Sequence, residues 1–457
     1  MADPIFDLAE TVVNTNYEDI PQKTAEVAKR FVLDTLGVAI AGSTAPGCED
    51  IIDQLAYWGG RPESTVLVYG YRLPSLMAAF ANATMVHARD FDDTHDAAVL
   101  HSYAPIFPAA LAVAEAQGNV PGKQLIAAVT LGVDMACRLS LASPIPASDT
   151  GWHLTATLGV FGATAAVGKI LRLDLDQMVN ALGIAYSQVA GNLQCIRDGA
   201  LTKRMQPGFS AKAGVLSAYM AQRGIVGARN ILEGFFGYFK VYQHGRYDLA
   251  VLRDGLGQRF ELSNLSAKPY PCCRYNHAGI DVTLQAVAEN GIEADEVEEV
   301  ILNVPPITQR AVGQPFVIAG NPQVAAQFSL IYTAAAALLR KDVLISDFEE
   351  HAIRDPRVLD MTKKIRVISN GMSDSSGGFA PVAVTIKTRR GTFSKRMEAV
   401  KGDPNYPMTD AEFLKKFRSC IMYAAKPLDS AKVDRAIEAV LKLEQVDDVG
   451  EVVGLLA

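Results

Sequence analysis

A helical repeat of apolar residues constrains the fold of this chain more than any other feature of its sequence. Within residues 21–40, apolar side chains recur at the spacing of one helix face, with Thr35 as the exception. The stretches 122–141 and 174–189 repeat this pattern, and Asp174 is the predicted N-cap of the second. Helices that each have one apolar face stabilise one another by packing, so the pattern predicts a large helical domain.

One stretch of small residues indicates where that domain is most closely packed. The sequence LTATLGVFGATAAVGKI, at 154–170, carries small residues on one side of the predicted helix. Small side chains let a neighbouring helix approach closely. We therefore expect this helix in the centre of the helical domain.

The composition of the chain changes after residue 265. Several runs of strand length are rich in β-branched residues and are separated by Gly, Asn and Pro. These runs are 297–304, 365–369 and 381–388. Two helical patterns, 278–290 and 325–340, lie among them. The combination predicts a smaller α+β domain.

From Thr409 the chain is helical again, beginning with a capping box formed by Thr409 and Glu412. We expect this last segment to return to the helical domain. The predicted fold class is mainly α: a large all-helical domain built from both chain ends plus a smaller α+β lid domain. The predicted boundaries are 1–265 for the N-terminal part of the helical domain, 266–400 for the α+β lid domain and 401–457 for the returning helical segment.

Charge and composition exclude several classes of function. A net charge of −7 and an isoelectric point of about 5.6, without a cluster of Lys and Arg, predict no nucleic-acid partner. Asp3, Asp7 and Glu10 stand where a secretory signal needs an apolar run, and no membrane-spanning run follows. We therefore expect a cytoplasmic protein without a membrane partner. No GxGxxG, GxxxxGK[ST] or CxxC motif indicates a nucleotide, zinc or iron–sulfur site.

A polar stretch stands out between the alanine-rich helical patterns at 76–88 and 106–117. It holds three carboxylates, a hydroxyl and three imidazoles: Asp90, Asp92, Asp93, Thr94, His87, His95 and His101. A loop between rigid helices is a common place for reactive groups. The alternative is a solvated loop in which Asp92 and Asp93 cap the next helix.

A second polar segment, 191–206, precedes a predicted helix that begins after Pro207 and Gly208. Its cations, together with one from the helix, form a local anion-attracting site: Arg197, Lys203, Arg204 and Lys212. The alternative is a solvated charged loop. Proton abstraction next to a carboxylate needs a base, cations for the carboxylate and donors for the enolate-like intermediate. The candidate groups are His95, His101, His153, Lys203 and Lys268.

Several segments together resemble the signature motifs of the MmgE/PrpD family. They are DFDDTH with LHS (90–95 and 100–102), GWH (151–153), TKRMQPG (202–208), KPYPCCR (268–274) and QFSLIY (327–332). The resemblance runs in the same order from about residue 5 to residue 445. It implies a helical domain built from both chain ends, a lid domain between them, a cofactor-free site in the cleft and a homodimer. It also implies a small polycarboxylate substrate.

The resemblance assigns roles to the residues of these motifs. The predicted catalytic residues are Asp90, Thr94, His101, His153 and Lys203. The predicted substrate-binding residues are Lys268 and Tyr332, to which the clustering of polar groups adds Arg204, Arg274 and His95. No metal ligand is predicted. We expect Lys203 and Lys268 to meet in the cleft, one from each domain.

The reaction itself has three possible outcomes within this family. Epimerisation of iminodisuccinate is favoured, because the surplus of Arg and Lys near the motifs suits a substrate with four carboxylates. Lyase reactions, dehydration of 2-methylcitrate or decarboxylation of cis-aconitate, are the alternative. Pro207 and Arg274 depart from the fungal decarboxylase pattern, which disfavours decarboxylation. A non-catalytic binding protein on this fold, and a metal held by Asp92, His95 and His101, are the remaining alternatives.

Overall fold

The computed structural model describes residues 2–318, 320–373 and 379–457. Helices account for 57% of the protein and strands for 8%, which confirms the predicted mainly α class. Buried apolar side chains form two hydrophobic cores. The first core draws on residues 5–267 and 408–456, joined by Ile345, and the second lies within residues 272–400.

The helices fall into three groups along the chain. The first group is α1 (Ile5–Asn14), α2 (Gln22–Gly42), α3 (Cys48–Trp58), α4 (Ser75–His87), α5 (Tyr103–Gln117), α6 (Gly122–Leu141), α7 (Ala147–Thr150), α8 (Leu154–Thr157), α9 (Gly159–Ile170), α10 (Leu175–Tyr186), α11 (Gln194–Arg197), α12 (Thr202–Gln222), α13 (Tyr238–Tyr242) and α14 (Leu249–Arg253). The second group is α15 (Arg274–Asn290), α16 (Pro306–Val312), α17 (Pro322–Gln327), α18 (Leu330–Arg340), α19 (Glu350–Ile353) and α20 (Pro356–Thr362). The third is α21 (Asp410–Ile421), α22 (Ser430–Leu441) and α23 (Gly450–Leu455).

Helix α9 lies at the centre of the first core, as its small residues predict. It packs against α5, α6 and α12, and all of its residues except Lys169 are buried. The backbones of α9 and α6 are in close contact where the two helices cross. A Cβ atom on Gly132 would lie only 2.5 Å from the Gly162 carbonyl oxygen, so this contact requires glycine. Helix α6 is long and apolar enough to span a membrane by length and composition, but 89% of its apolar window is buried inside the protein.

The second core is a sheet covered by helices. Its strands are β3 (Val297–Asn303), β4 (Ile365–Ile368), β5 (Val382–Thr388) and β6 (Gly391–Met397), paired in the order β4-β3-β5-β6; β1 (Ser64–Thr65) and β2 (Arg72–Leu73) form a separate small pair. Strand β4 is parallel to β3, and the other neighbours are antiparallel. Helix α15 packs on β5 and β6, and α18 packs on α15 and β4. Strand β6 was not predicted, because its half-buried or exposed residues show no apolar alternation.

The C-terminal helices lie against the beginning of the chain. Lys416 of α21 forms a buried ion pair with Asp34 of α2, with 2.7 Å between Nζ and Oδ1. The Val68 N–H donates to the Leu456 carbonyl at 2.9 Å. Both chain ends therefore contribute to one core.

Helix α12 begins at Thr202, earlier than predicted. Lys203 and Arg204 therefore lie on a helix and not on a loop. Pro207 lies inside this helix, where its missing N–H removes one hydrogen bond. The prediction that Pro207 marks the start of the helix is wrong, because the packing of α12 against α4 and α9 outweighs that loss.

The predicted helix at 325–340 is broken into α17 and α18. Ser329 is extended, with φ of −127° and ψ of 112°, and its side chain accepts a hydrogen bond from the Tyr332 N–H at 3.1 Å. The break brings Phe328 out of the helical register. Its ring then lies under Lys203, with 5.3 Å from the Nζ atom to the ring centroid.

Candidate active site

The loop between α4 and α5 turns at Asp90, whose φ of 52° lies in the left-handed region that Asp tolerates better than most residues. Further along, Asp93 caps α5, because its carboxylate accepts from the N–H groups of Ser102 at 2.9 Å and Tyr103 at 3.1 Å. Burial and the adjacent Asp92 raise the pKa of Asp93 to about 7. The alternative of a solvated capping loop is therefore correct in that Asp93 caps a helix, but wrong in that these carboxylates are buried.

Two lysines share the carboxylate of Asp90. Lys203 Nζ lies 3.0 Å from Asp90 Oδ1, and Lys268 Nζ lies 3.2 Å from the same oxygen and 3.0 Å from the Asp90 carbonyl oxygen. Thr94 and Ser266 pair through their backbones, and this pairing positions Lys268. Burial would raise the pKa of Asp90, but the two ammonium groups hold it well below its ordinary value. The predicted meeting of Lys203 and Lys268 is observed.

His87, which was not predicted as a site residue, connects Lys203 to Asp92. Its Nδ1 lies 2.7 Å from Asp92 Oδ2, and its Nε2 lies 2.9 Å from Lys203 Nζ. A carboxylate only accepts and an ammonium only donates, so the ring is neutral with its proton on Nδ1. Burial and the Lys203 charge lower the pKa of His87 well below its ordinary value. One feature of the sequence could have indicated this role: His87 is a histidine at the end of an otherwise apolar helix.

Two further imidazoles flank His87, with ring centroids 4.9 Å away for His101 and 5.8 Å away for His153. His101 Nδ1 donates to the Asp93 carbonyl oxygen at 2.6 Å, and His153 Nδ1 donates to Gln206 Oε1 at 3.1 Å. Burial lowers the pKa of His101 well below its ordinary value and that of His153 to about 3. Both rings are therefore neutral, and among the described residues neither Nε2 has a hydrogen-bond partner.

Family models match most of the chain. The MmgE/PrpD N-terminal domain matches residues 6–249, and the MmgE/PrpD C-terminal domain matches residues 270–445. The chain belongs to the MmgE/PrpD family.

Relatives of this MmgE/PrpD protein carry two kinds of name. The cis-aconitate decarboxylase-like protein oryM of Aspergillus oryzae is 26% identical, over 99% of this chain and 96% of the relative. Cis-aconitate decarboxylase of Aspergillus terreus is 27% identical, over 97% of this chain and 94% of the relative. 2-Methylcitrate dehydratase of Escherichia coli is 22% identical, over 79% of this chain and 76% of the relative.

The cavity beside Lys203 of this MmgE/PrpD protein is very small. Its volume is about 10 Å³, and it is lined by residues in or next to α4 and α12, in the polar loop and in the 324–328 segment: His87, Ala88, Asp90, Ala200, Lys203, Arg204, Val324, Gln327 and Phe328. Gln327 holds the wall in place, because its Nε2 donates to the Arg89 carbonyl at 2.6 Å. A polycarboxylate is much larger than this space. The described conformation therefore leaves no room for such an acid in this cavity.

The structure places His95 and Arg274 outside this cluster, although both were predicted to bind substrate. His95 Nε2 pairs with Glu261 at 3.1 Å, and Arg274 pairs with Asp96 at 3.1 Å. Both positions belong to the far side of the loop, where His95 and Asp96 line a cavity of about 1050 Å³. This larger cavity does not include the lysines or Asp90. The backbone of the loop pairs Thr94 with Ser266 and His95 with Leu100, and this segment holds His95 and Asp96 apart from Asp90.

Arg204 and Tyr332 are also engaged by other groups. Arg204 lines the small cavity, but its guanidinium donates to the Pro46 carbonyl at 2.6 Å and to Gln323 Oε1 at 3.3 Å. The Tyr332 hydroxyl donates to the Asp347 carbonyl within the second core. The predicted binding role of Tyr332 does not fit this position. Within the QFSLIY motif, Gln327 and Phe328 line the cavity beside Lys203, and the Phe328 ring contacts the Lys203 ammonium.

A metal site at Asp92, His95 and His101 does not form in this geometry, because His95 pairs with Glu261. His87 takes its place, and single ligand atoms of His87, Asp92 and His101 lie within 4.8 Å of one another. The Lys203 ammonium contacts the same His87 ring at 2.9 Å. That positive charge disfavours a divalent cation between these three residues.

Proposed function

We propose that this protein is a cofactor-independent lyase that transfers a proton at a carbon next to a carboxylate of a small polycarboxylate. The observation that carries the proposal is the pair of unbonded Nε2 atoms, on His101 and His153, around the Lys203–Asp90–Lys268 cluster. A neutral imidazole is the form that accepts a proton. The two ammonium groups supply charge that binds a carboxylate and stabilises an enolate-like intermediate.

Each group has its own part in the proposed reaction. Nε2 of His101 or His153 takes the proton from the substrate carbon or returns it. Lys203 and Lys268 bind the substrate carboxylate, and Asp90 holds the two ammonium groups close together in the free protein. In the complex, the negative charges of the substrate raise the pKa of a neighbouring imidazole, so the ring can also carry a proton to carbon.

The cations support a lyase more than the epimerase that the sequence favours. The epimerase argument depended on a surplus of Arg and Lys around the site. Arg274 pairs with Asp96, Arg204 donates to the Pro46 carbonyl, and Arg89 pairs with Glu349 at 3.0 Å. These guanidinium groups already have partners. Lys203 and Lys268 remain as the cations of the cluster, which suits a substrate with fewer carboxylates.

Decarboxylation of a cis-aconitate-type acid is the first lyase reaction to test. The relatives named as decarboxylases or decarboxylase-like align over 88–96% of their own lengths, against 76% for the dehydratase. In this reaction the C–C bond to the departing CO₂ breaks, and its electron pair forms a new double bond. The former alkene carbon next to a carboxylate then takes one proton. Arg274, whose departure from the fungal pattern disfavoured this reaction, lies outside the cluster.

Epimerisation remains a second candidate because of one specific observation. An epimerase needs an acid/base group on each face of a carbon, and two separate imidazoles, His101 and His153, lie near His87. The substrate would then be an amino-linked polycarboxylate such as iminodisuccinate. We also propose the homodimer that the family resemblance implies.

Incubation with single substrates in D₂O tests the proposal. The purified protein receives cis-aconitate, 2-methylcitrate or one stereoisomer of iminodisuccinate, and ¹H NMR follows each reaction. We expect CO₂ loss from cis-aconitate and one deuterium in the product. Formation of an alkene from 2-methylcitrate would make the protein a dehydratase, and deuterium exchange with inversion of iminodisuccinate would make it an epimerase. The absence of both turnover and exchange, while the acids still bind, would identify a binding protein on this fold.

A further inference from the structure

Gln206 is held in one orientation by the backbone of a neighbouring segment. The Asn192 N–H donates to Gln206 Oε1 at 3.0 Å, and Gln206 Nε2 donates to the Asn192 carbonyl at 2.9 Å. Nε2 also lies 3.0 Å from Cys195 Sγ. A flipped amide would place its N–H groups against the Asn192 N–H and its oxygen against the carbonyl. The pairing of Gln206 with the backbone therefore determines which atom faces His153.

The backbone that orients Gln206 is itself closely packed. Trp152 and Asn192 form an antiparallel bridge, and the His153 N–H donates to the Gly191 carbonyl at 3.3 Å. Gly191 has φ of 133°, and a Cβ on it would lie 2.8 Å from Gln206 Oε1. Only glycine suits this position. The two segments and the glutamine thus form one rigid frame around the His153 ring.

The frame specifies the chemical form of His153. The carboxamide oxygen of Gln206 has lone pairs and no proton, so it only accepts. Nδ1 of the neutral His153 ring must therefore carry the proton, which leaves the lone pair on Nε2. We propose that Gln206 is a positioning residue that holds His153 in this tautomer and presents Nε2 to the substrate. The catalytic consequence rests on the proposed function, whereas the tautomer does not.

A second histidine in the protein shows what a different partner does. His95 Nδ1 accepts from the Ala98 N–H at 3.1 Å, so its Nε2 donates to the carboxylate of Glu261. A carboxylate stabilises a protonated imidazole much more than a carboxamide does, because the charges attract. Gln206 gives His153 a fixed direction without that charge. The choice of amide over carboxylate therefore also keeps the ring available as a base.

The surroundings of His153 reinforce this effect. The groups that face it are His87 from α4, Asp90 from the loop, Lys203 and Gln206 from α12, and Cys195 behind the glutamine. Lys203 opposes a positive charge on the ring, and Asp90 favours one. Replacing Gln206 by Glu adds one negative charge in direct contact with Nδ1. Because Glu and Gln have nearly the same volume, this substitution changes the charge beside His153 and leaves the packing almost unchanged.

Histidine ring ¹⁵N NMR of the full-length protein is the direct test, with Gln206→Glu and Gln206→Met as variants and His153→Gln to assign the signals. We expect the Nδ1–H tautomer in the wild type. In Gln206→Glu the tautomer should persist, while the pKa of His153 rises by at least about one unit. In Gln206→Met the ring should populate both tautomers, and kcat on the active polycarboxylate should fall about tenfold with KM within about twofold.

Two results would overturn the inference. One is an unchanged Nδ1–H signal in Gln206→Met; the other is an unchanged titration of His153 in Gln206→Glu. Glu261→Gln is the matched control, because it changes the partner of a histidine outside the Asp90 cluster and should leave kcat and the His153 signals unchanged. If no polycarboxylate is turned over, the NMR signals still decide the tautomer, so failure of the proposed function is recognised separately. If both variants give the expected NMR results but keep wild-type kcat and pH profile, Gln206 has no role in catalysis and the catalytic part of the inference is wrong.

Discussion

Two buried aspartates in the first core each contact lysine, yet their surroundings differ. Asp34 has one lysine, Lys416, which also donates to the Phe91 carbonyl at 2.7 Å and lies 4.0 Å from the centroid of the Phe91 ring. Asp90 has two lysines on one oxygen. Burial raises the pKa of Asp34 despite Lys416, whereas two ammonium groups hold the pKa of Asp90 well below its ordinary value.

The difference separates a structural ion pair from a candidate active site. The Asp34–Lys416 pair has one charge of each sign and joins α2 to α21, so its charges are already matched. The Asp90 cluster concentrates positive charge beside unbonded imidazole nitrogens. Burial of a lysine–aspartate pair is therefore not an indication of function by itself. Convergence of several unmatched groups is the stronger indication.

The largest expected effect comes from the lysines of the Asp90 cluster. Lys203→Ala or Lys268→Ala should lower kcat/KM about a thousandfold, mainly through KM, because each removes a charge that binds the substrate carboxylate. Steady-state kinetics with the active polycarboxylate measures this, and circular dichroism monitors the fold. A KM close to that of the wild type in both variants would mean that Asp90 and its lysines are a structural group like Asp34 and Lys416.

Lys416→Met is the matched variant for the structural pair. It leaves the Asp34 carboxylate buried without its cation, so the free energy of unfolding should fall by about 3–5 kcal/mol. The KM of the folded fraction should stay within about twofold of the wild type. Urea unfolding and kinetics at low temperature measure the two quantities separately. A large rise in KM with unchanged stability would remove the distinction between the two lysine–aspartate groups.

His101 should have a smaller effect than the lysines. His101→Ala should lower kcat about 10²-fold with the fold unchanged, because the variant lacks one Nε2 that can transfer a proton. His95→Ala is the matched control, since its ring pairs with Glu261 on the other side of the loop. Near-wild-type turnover of His101→Ala would leave His153 as the acting base.

Asp93 links the polar loop to stability through pH. Its pKa is about 7 in the folded protein, because of burial and Asp92, against about 3.9 in an unfolded chain. Between these values the folded state retains a proton that the unfolded state has lost, so stability falls as pH rises from about 4 to 7. The slope should be about 1 kcal/mol per pH unit, and Asp93→Asn should reduce it. Urea unfolding at pH 5 and pH 7 gives both slopes, and equal slopes would contradict the raised pKa.

Arg274 should have the smallest effect on activity. Arg274→Gln should change KM less than about threefold, because the guanidinium pairs with Asp96 and the Lys401 carbonyl outside the Asp90 cluster. Kinetics with the same substrate measures this change. A tenfold rise in KM would mean that Arg274 binds substrate. It would then again support a substrate with four carboxylates, such as iminodisuccinate.

The amino-acid sequence by itself determined the helices and the candidate groups. The 3.6-residue repeat at 21–40 and 122–141 marks α2 and α6 closely, since a buried helix face must be apolar whatever packs on it. The capping box at Thr409 and Glu412 is present at the start of α21. The unusual density of Asp and His between α4 and α5 was also visible, because few folds need so many polar groups between two apolar helices.

The tertiary structure alone decided which of those groups act together. In the folded chain Asp90 contacts Lys203 of α12 and Asp92 contacts His87 of α4, while His95 and Asp96 face Glu261 and Arg274. Periodicity indicates which face of an element is buried but not its partner. The cluster therefore contains His87, which was not predicted as a site residue, and does not contain His95, which was. The contacts that decide this join residues more than a hundred positions apart, and they form only when the elements of the first core pack together.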